Sequence, residues 1–198
     1  MLGEKDRLIL DRADAVVGVD EVGRGCLAGP VVICAARFET IPPSRWVRDS
    51  KKLTPRRRVE TAAWLRGKCS DWVVVEVWQD LIDTINILEA TRLAMESAVR
   101  ALVSPGDEVV VDHVKLGDLG VPIHSIKRAD ASFFSVAAAS IFAKVHRDGI
   151  MVRLALDDDR WEWSRNMGYG TTAHRRAIGR IGRSYLHRQS FRASPVLP

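Results

Sequence analysis

With 198 residues, 46% of them apolar and 28% charged, the chain has the makeup of a globular protein that buries a core without disulfides or structural metals, which excludes extended disorder. Its net charge is +5, and 23 of its 30 basic residues are arginine; the planar arginine fork suits phosphate oxygens, so nucleic acid is the first partner to consider. Three cysteines without a Cys-x-x-Cys pair signal neither a disulfide framework nor a zinc site, and no run approaches the roughly 18 apolar residues of a membrane span.

The opening "MLGEKDRLIL" mixes charges into its apolar residues and lacks the h-region of a signal peptide, so secretion by that route is not expected; the cysteine usage makes a reducing cytoplasm the expected setting. Residues 15–19 and 31–38 read as β-rich runs joined by the glycine-rich "GVDEVGRGCLAGP". In "LTPRRRVETAAWLRG", Thr54 is a cap, Pro55 the first helical position and Gly67 a stop. Residues 72–78 supply a third strand. A longer helix is expected from Asp80 to about Val103, burying a face of Leu81, Ile85, Leu88, Met95, Val99 and Leu102 with one break at Arg92. "EVVVDHV" reads as a short buried strand ending in Asp112, and residues 123–127 as one more. "ADASFFSVAAASIFAKVHRD" is a helix apolar on nearly every side, hence central. From Arg160 onward eight arginines stand against one acid, Glu162, which makes the helical C-terminal segment a candidate electrostatic footprint.

Three places set a carboxylate where an apolar element ends or begins: Asp20 with Glu21 after the first strand, Asp112 after "VVV", and Asp130 at the head of the apolar helix. Asp130 alone also reads as a helix N-cap, and Asp112 as a turn residue. In an open sheet, however, strand ends from distant parts of the chain converge on one crevice. Four carboxylates there repel one another unless cations are bound, and oxygen donors without histidine or thiolate favour Mg²⁺ or Mn²⁺. Two such ions about 4 Å apart activate a water and stabilise the leaving oxygen of a phosphoryl displacement. With a basic surface, metal-assisted hydrolysis of a phosphodiester is the expected chemistry. His113, His124, His146 and His174 share no ligand spacing.

From about Val16 to Phe191 the chain resembles bacterial ribonuclease HII. "VDEVGRG" (19–25), "LAGPVV" (27–32), "DSKKL" (49–53), "NILEAT" (86–91), "VVVD" (109–112), "AAASIFAKVHRD" (137–148), "GYGT" (168–171) and "HRQSF" (187–191) follow one another in the family's order and spacing. The resemblance implies a ribonuclease H-like α/β fold in one domain, with a mixed five-stranded sheet, an antiparallel three-strand start, flanking helices and a basic helical C-terminal segment. It assigns Asp20, Glu21, Asp112 and Asp130 as metal-binding acids and Mg²⁺ or Mn²⁺ as cofactor. It makes the backbone of Gly23, Arg24 and Gly25 the reader of a ribonucleotide 2′-hydroxyl, and Tyr169 the aromatic that packs on the following deoxyribose. Ser50, Lys51 and Asn86 are implied phosphate contacts, and Lys144 a basic group at the site; by their surroundings Ser50 and Lys51 also read as a solvated corner, and Lys144 as the ion-pair partner of Asp148 one turn on.

The implied reaction is hydrolysis of RNA in an RNA–DNA hybrid, and cutting 5′ of a single ribonucleotide in duplex DNA, to leave a 3′-hydroxyl and a 5′-phosphate. A monomer is expected. The sequence departs from the usual family text at Cys26 (proline), His113 (glycine), Ala129 (glycine) and Ser132 (lysine), and lacks the His-Lys pair before "GYG". Two other readings stay open on these grounds: a nucleic-acid-binding relative with weak or no turnover, and a metal-dependent DNA nuclease on a related fold.

Overall fold

The computed structural model describes residues 2–43, 47 and 53–193. Helix α1 (Glu4–Leu10) leads into β1 (Val16–Val22) and β2 (Val31–Phe38). Then come α2 (Pro55–Arg66), β3 (Asp71–Val77), α3 (Gln79–Ile85), α4 (Ile87–Arg100), β4 (Glu108–Asp112) and β5 (Ile123–Ile126). A 3₁₀ turn (Ala129–Ala131) precedes α5 (Phe134–Asp157), and α6 (Trp163–Asn166) and α7 (Thr172–Ile181) complete the order. Among the described residues the strands form one five-stranded sheet in the order β3-β2-β1-β4-β5. The β1–β2 and β2–β3 pairs are antiparallel and the β1–β4 and β4–β5 pairs parallel. This is the expected mixed sheet with its antiparallel start. No described helix is long and apolar enough to cross a membrane.

Side-chain alternation along the central strands supplies both faces of the sheet. Val16, Val32, Cys34, Ala36 and Phe38 pack on α5, while Val17, Val19, Ile33, Val109 and Val111 pack on Met95, Ala98 and Val99 of α4. Helix α5 is buried along residues 134–143 and crosses β1 where Gly18 has no side chain. A Cβ there would overlap the Ser135 main chain, so the glycine allows the helix and strand backbones to meet.

Several expected boundaries move. The first strand continues through Val22, so Asp20 and Glu21 lie within it, paired with Cys34 and Ile33. The helix expected from Asp80 to Val103 is two helices. Asn86, at φ 69°, turns the chain, and its side chain accepts hydrogen bonds from Leu88 N (2.9 Å) and Glu89 N (3.1 Å) to cap α4. Met95, Val99 and Leu102 are buried as expected, but at the break Leu81 and Leu88 are exposed, and Ile82, Ala90 and Ala94 take buried positions instead. Asp130 is not the cap of α5 but sits in the 3₁₀ turn ahead of it. The cap comes from 128 residues away: buried Asp6 accepts from Phe134 N (2.7 Å) and Ser135 N (3.0 Å).

The C-terminal arginines divide. Arg165, Arg176, Arg180 and Arg192 are exposed, as a footprint requires. Arg188 is buried, Arg183 donates to the carbonyls of Arg188, Gln189 and Phe191, and Arg160 pairs with Asp158. Part of the cluster therefore serves the fold rather than a polyanion.

Candidate active site

Parallel pairing brings the first two acids together. Val19 stands opposite Val111, so the next residue on β1, Asp20, lies level with Asp112 at the carboxyl ends of adjacent strands, where open α/β sheets place their crevices. Asp112 Oδ1 then accepts from Arg128 N at 2.7 Å and Ala129 N at 3.4 Å, which fixes the 3₁₀ turn carrying Asp130. One acid thereby positions another from a different part of the chain. Helix α5 contributes Ser140, which hydrogen-bonds Asp20.

A cavity of about 280 Å³ is lined by Asp20, Glu21, Asp112 and Asp130, together with Gly23, Arg24, Gly25, Ser140, Lys144 and Tyr169. The structure thus gathers the four acids, the glycine loop, Lys144 and Tyr169. Asn86 lies outside this lining and serves as a helix cap, and Ser50 and Lys51 lie outside the described residues. Lys144 donates to Asp148 at 2.7 Å and stands 5.5 Å from the Tyr169 ring centroid. His113 has φ 55° and is exposed rather than crowded into the cavity. Ser132 lines a separate groove with Lys5 and Leu8 of α1.

The electrostatics are those of anions held away from water. Burial drives the Asp20 carboxyl well above the usual aspartate range, and neighbouring Glu21 adds to the effect. Burial also raises Glu21 to about 7; Arg24 opposes the rise and Asp112 reinforces it. Arg24 Nη1 stands 3.6 Å from Glu21 Oε1, while Glu21 Oε2 is buried without a partner. An orphaned carboxylate oxygen in an acid-lined cavity is an incomplete polar site, and its all-oxygen donors suit a hard divalent cation. Among the described residues no three acids, histidines or cysteines are already drawn together as a ligand set.

Sequence reasoning missed the support beneath the glycine loop. Buried Arg147, on α5, donates to Pro30 O (2.9 Å), Ala28 O (3.1 Å) and Met167 O (2.8 Å). Leu27 N donates to Gly168 O at 2.8 Å, so the chain two residues beyond "GRG" is bonded to "GYG". Gly23, at φ 91°, rests on Arg147, and a Cβ would overlap the guanidinium. Gly25 differs: a Cβ there would find no atom within 4 Å. Behind the tyrosine loop, His187 and His174 form a buried pair with Nε2 to Nε2 3.0 Å. Ser184 N donates to His187 Nδ1, and Tyr169 O accepts from His174 Nδ1. His187 is therefore the donor to His174 within the pair, and burial lowers its pKa to about 4.

A family model described as Ribonuclease HII matches residues 17–194. The chain belongs to the ribonuclease HII family. It is 43% identical over 188 residues to the ribonuclease HII of Pelodictyon phaeoclathratiforme, covering 89% of each chain. Among solved structures it resembles the ribonuclease H2 of Pyrococcus horikoshii, with a TM-score of 0.75, 26% identity, and 90% and 94% of the two chains covered. It shares its fold with Bst-RNase HIII, solved in complex with Mn²⁺, at a TM-score of 0.66 and 17% identity over 96% of this chain and 71% of that one. By family this ribonuclease HII is a nuclease acting on RNA in RNA–DNA hybrids.

Proposed function

We propose that this single-domain, monomeric ribonuclease HII cuts the RNA strand of hybrids and also the 5′ side of single ribonucleotides embedded in duplex DNA, leaving a 3′-hydroxyl and a 5′-phosphate. The observation that carries the reading is the meeting of four acids, a side-chain-poor loop and a partly exposed tyrosine in one cavity. Asp20, Glu21, Asp112 and Asp130 would hold divalent metal, Mg²⁺ or Mn²⁺. Bound there, the ions supply an activated water and neutralise charge on the leaving oxygen. Asp20 and Glu21 would give up their raised pKa values on binding, because cations compensate the burial that now disfavours their ionised forms.

The chain's other groups orient the substrate. Open space at Gly25 supports approach of a sugar to the loop backbone, since the protein's own packing does not demand a glycine there. Tyr169, 39% exposed, offers its ring to the deoxyribose on the 3′ side. Lys144, held by Asp148, keeps a positive charge beside a polyanion. Asn86, Ser50 and Lys51 are proposed phosphate contacts along the strand.

The test is Asp20→Asn assayed on an RNA–DNA hybrid. Cleavage should be lost while binding persists, because Asp20 acts through metal and not through duplex contacts. Loss of binding in parallel with cleavage, or retained cleavage, would overturn the assignment.

A further inference from the structure

Arg188 lies in the "HRQSF" segment, far in sequence from the loop it contacts. Its side chain is 1% exposed, and its hydrogen bonds all go to main-chain carbonyls. Nη1 donates to Arg24 O at 2.8 Å, Nη2 to Gly23 O at 2.8 Å and Gly29 O at 2.9 Å, and Nε to Gly29 O at 3.2 Å. A buried guanidinium is costly unless its donors are answered. The carbonyls of Gly23 and Arg24 must therefore turn inward onto it.

That turn has a consequence on the opposite side of each peptide. In a planar trans peptide the C=O and the following N–H point in opposite directions. Carbonyls 23 and 24 facing Arg188 direct the amides of Arg24 and Gly25 away from it, and the loop is part of the cavity wall. Neither amide has an acceptor among the described residues. We infer that Arg188 is a positioning residue for ribonucleotide recognition, holding the loop so that the amides of Arg24 and Gly25 meet a 2′-hydroxyl in the cavity. This rests on the ribonucleotide reading proposed above. A lysine cannot substitute, because a single ammonium lacks the fork that spans three carbonyls.

The segment bearing Arg188 is itself anchored. Asp83, on α3, accepts from Gln189 N at 2.7 Å, Ser190 N at 3.0 Å and the Ser190 hydroxyl. Asp83→Asn should loosen the anchor while leaving the guanidinium in place.

The experiment measures two quantities for wild type, Arg188→Lys and Asp83→Asn: kcat/KM on a DNA duplex containing one ribonucleotide, and the inhibition constant of the same duplex in all-DNA form. Arg188→Lys should lower kcat/KM by about tenfold, the worth of one well-made hydrogen bond, and leave the inhibition constant unchanged. Asp83→Asn should move the same quantity in the same direction by less. Equal losses in both quantities would make Arg188 a general structural support, and an unchanged kcat/KM would also overturn the inference. Where thermal melting shows Arg188→Lys unfolded at the assay temperature, Asp83→Asn decides by the same comparison. Failure of wild type to cut the ribonucleotide duplex at all would refute the function reading separately.

Discussion

Glu21→Gln exposes the energetic conflict built into the cavity. Raising the carboxyl from 4.5 to about 7, chiefly by burial, is worth ~3 kcal/mol against its ionised form. The folded protein holds this proton between pH 4.5 and about 7 where the unfolded chain does not, so stability falls as pH rises through that window and is level above it. Glutamine, never ionised, does not incur this loss. In metal-free protein the variant should match wild type near pH 4 and exceed it by ~3 kcal/mol at pH 8, a rise of about 6–12 °C in Tm for a chain of this size. Thermal melts in a chelator at the two pH values measure the difference. Added Mn²⁺ should raise the Tm of wild type more than that of the variant, because the variant lacks one anionic ligand. A variant no more stable than wild type at pH 8, or equally stabilised at both pH values, refutes the argument that burial of the ionised Glu21 carboxylate is destabilising.

The two loop glycines should separate folding from recognition. Gly23→Ala forces a side chain onto Arg147 at φ 91° and should cost about 1–2 kcal/mol from the left-handed backbone alone, with cleavage falling as well; Gly25→Ala, with open space around the new Cβ, should leave Tm unchanged or slightly raised and still impair cutting at a ribonucleotide. Chemical denaturation beside the cleavage assay reads both. Asp6→Ala strips two buried amides of their charged acceptor and should cost about 2–4 kcal/mol in urea unfolding, without altering cleavage at temperatures where the variant stays folded. Ser132→Lys adds a cation to the groove beside α1 and should tighten binding to hybrid duplex at moderate salt; unchanged affinity would show that this groove lies off the duplex path.

Much of the site was legible because its signals are local. Asp20 and Glu21 adjoin a glycine loop, Asp112 ends a run of valines, and strand ends converge in such sheets, so the cavity could be anticipated from short stretches. The family motifs supplied the expected roles of Gly23, Arg24, Gly25 and Tyr169. The missing parts are set by partners distant in sequence. The cap of α5 comes from Asp6, so the adjacent Asp130 looked like the cap. Asn86 breaks a helix by adopting φ 69°, a conformation that its apolar neighbours do not announce. Arg188 looked like surface charge because composition records the number of cations and not their burial, and nothing in the sequence singled out Arg147. Their acceptors are main-chain carbonyls, which leave no mark in a sequence.

The central claim is that the four acids and the two glycine-flanked segments form one ribonucleotide-cutting site. Its most direct test is cleavage of a DNA duplex carrying one ribonucleotide, with Mg²⁺ and then Mn²⁺, beside an all-DNA duplex and an Asp112→Asn variant. A single cut 5′ of the ribonucleotide, absent from the all-DNA duplex and from the variant, is the predicted result. Binding without a cut under either metal would contradict the account and point instead to a nucleic-acid-binding relative that has lost turnover.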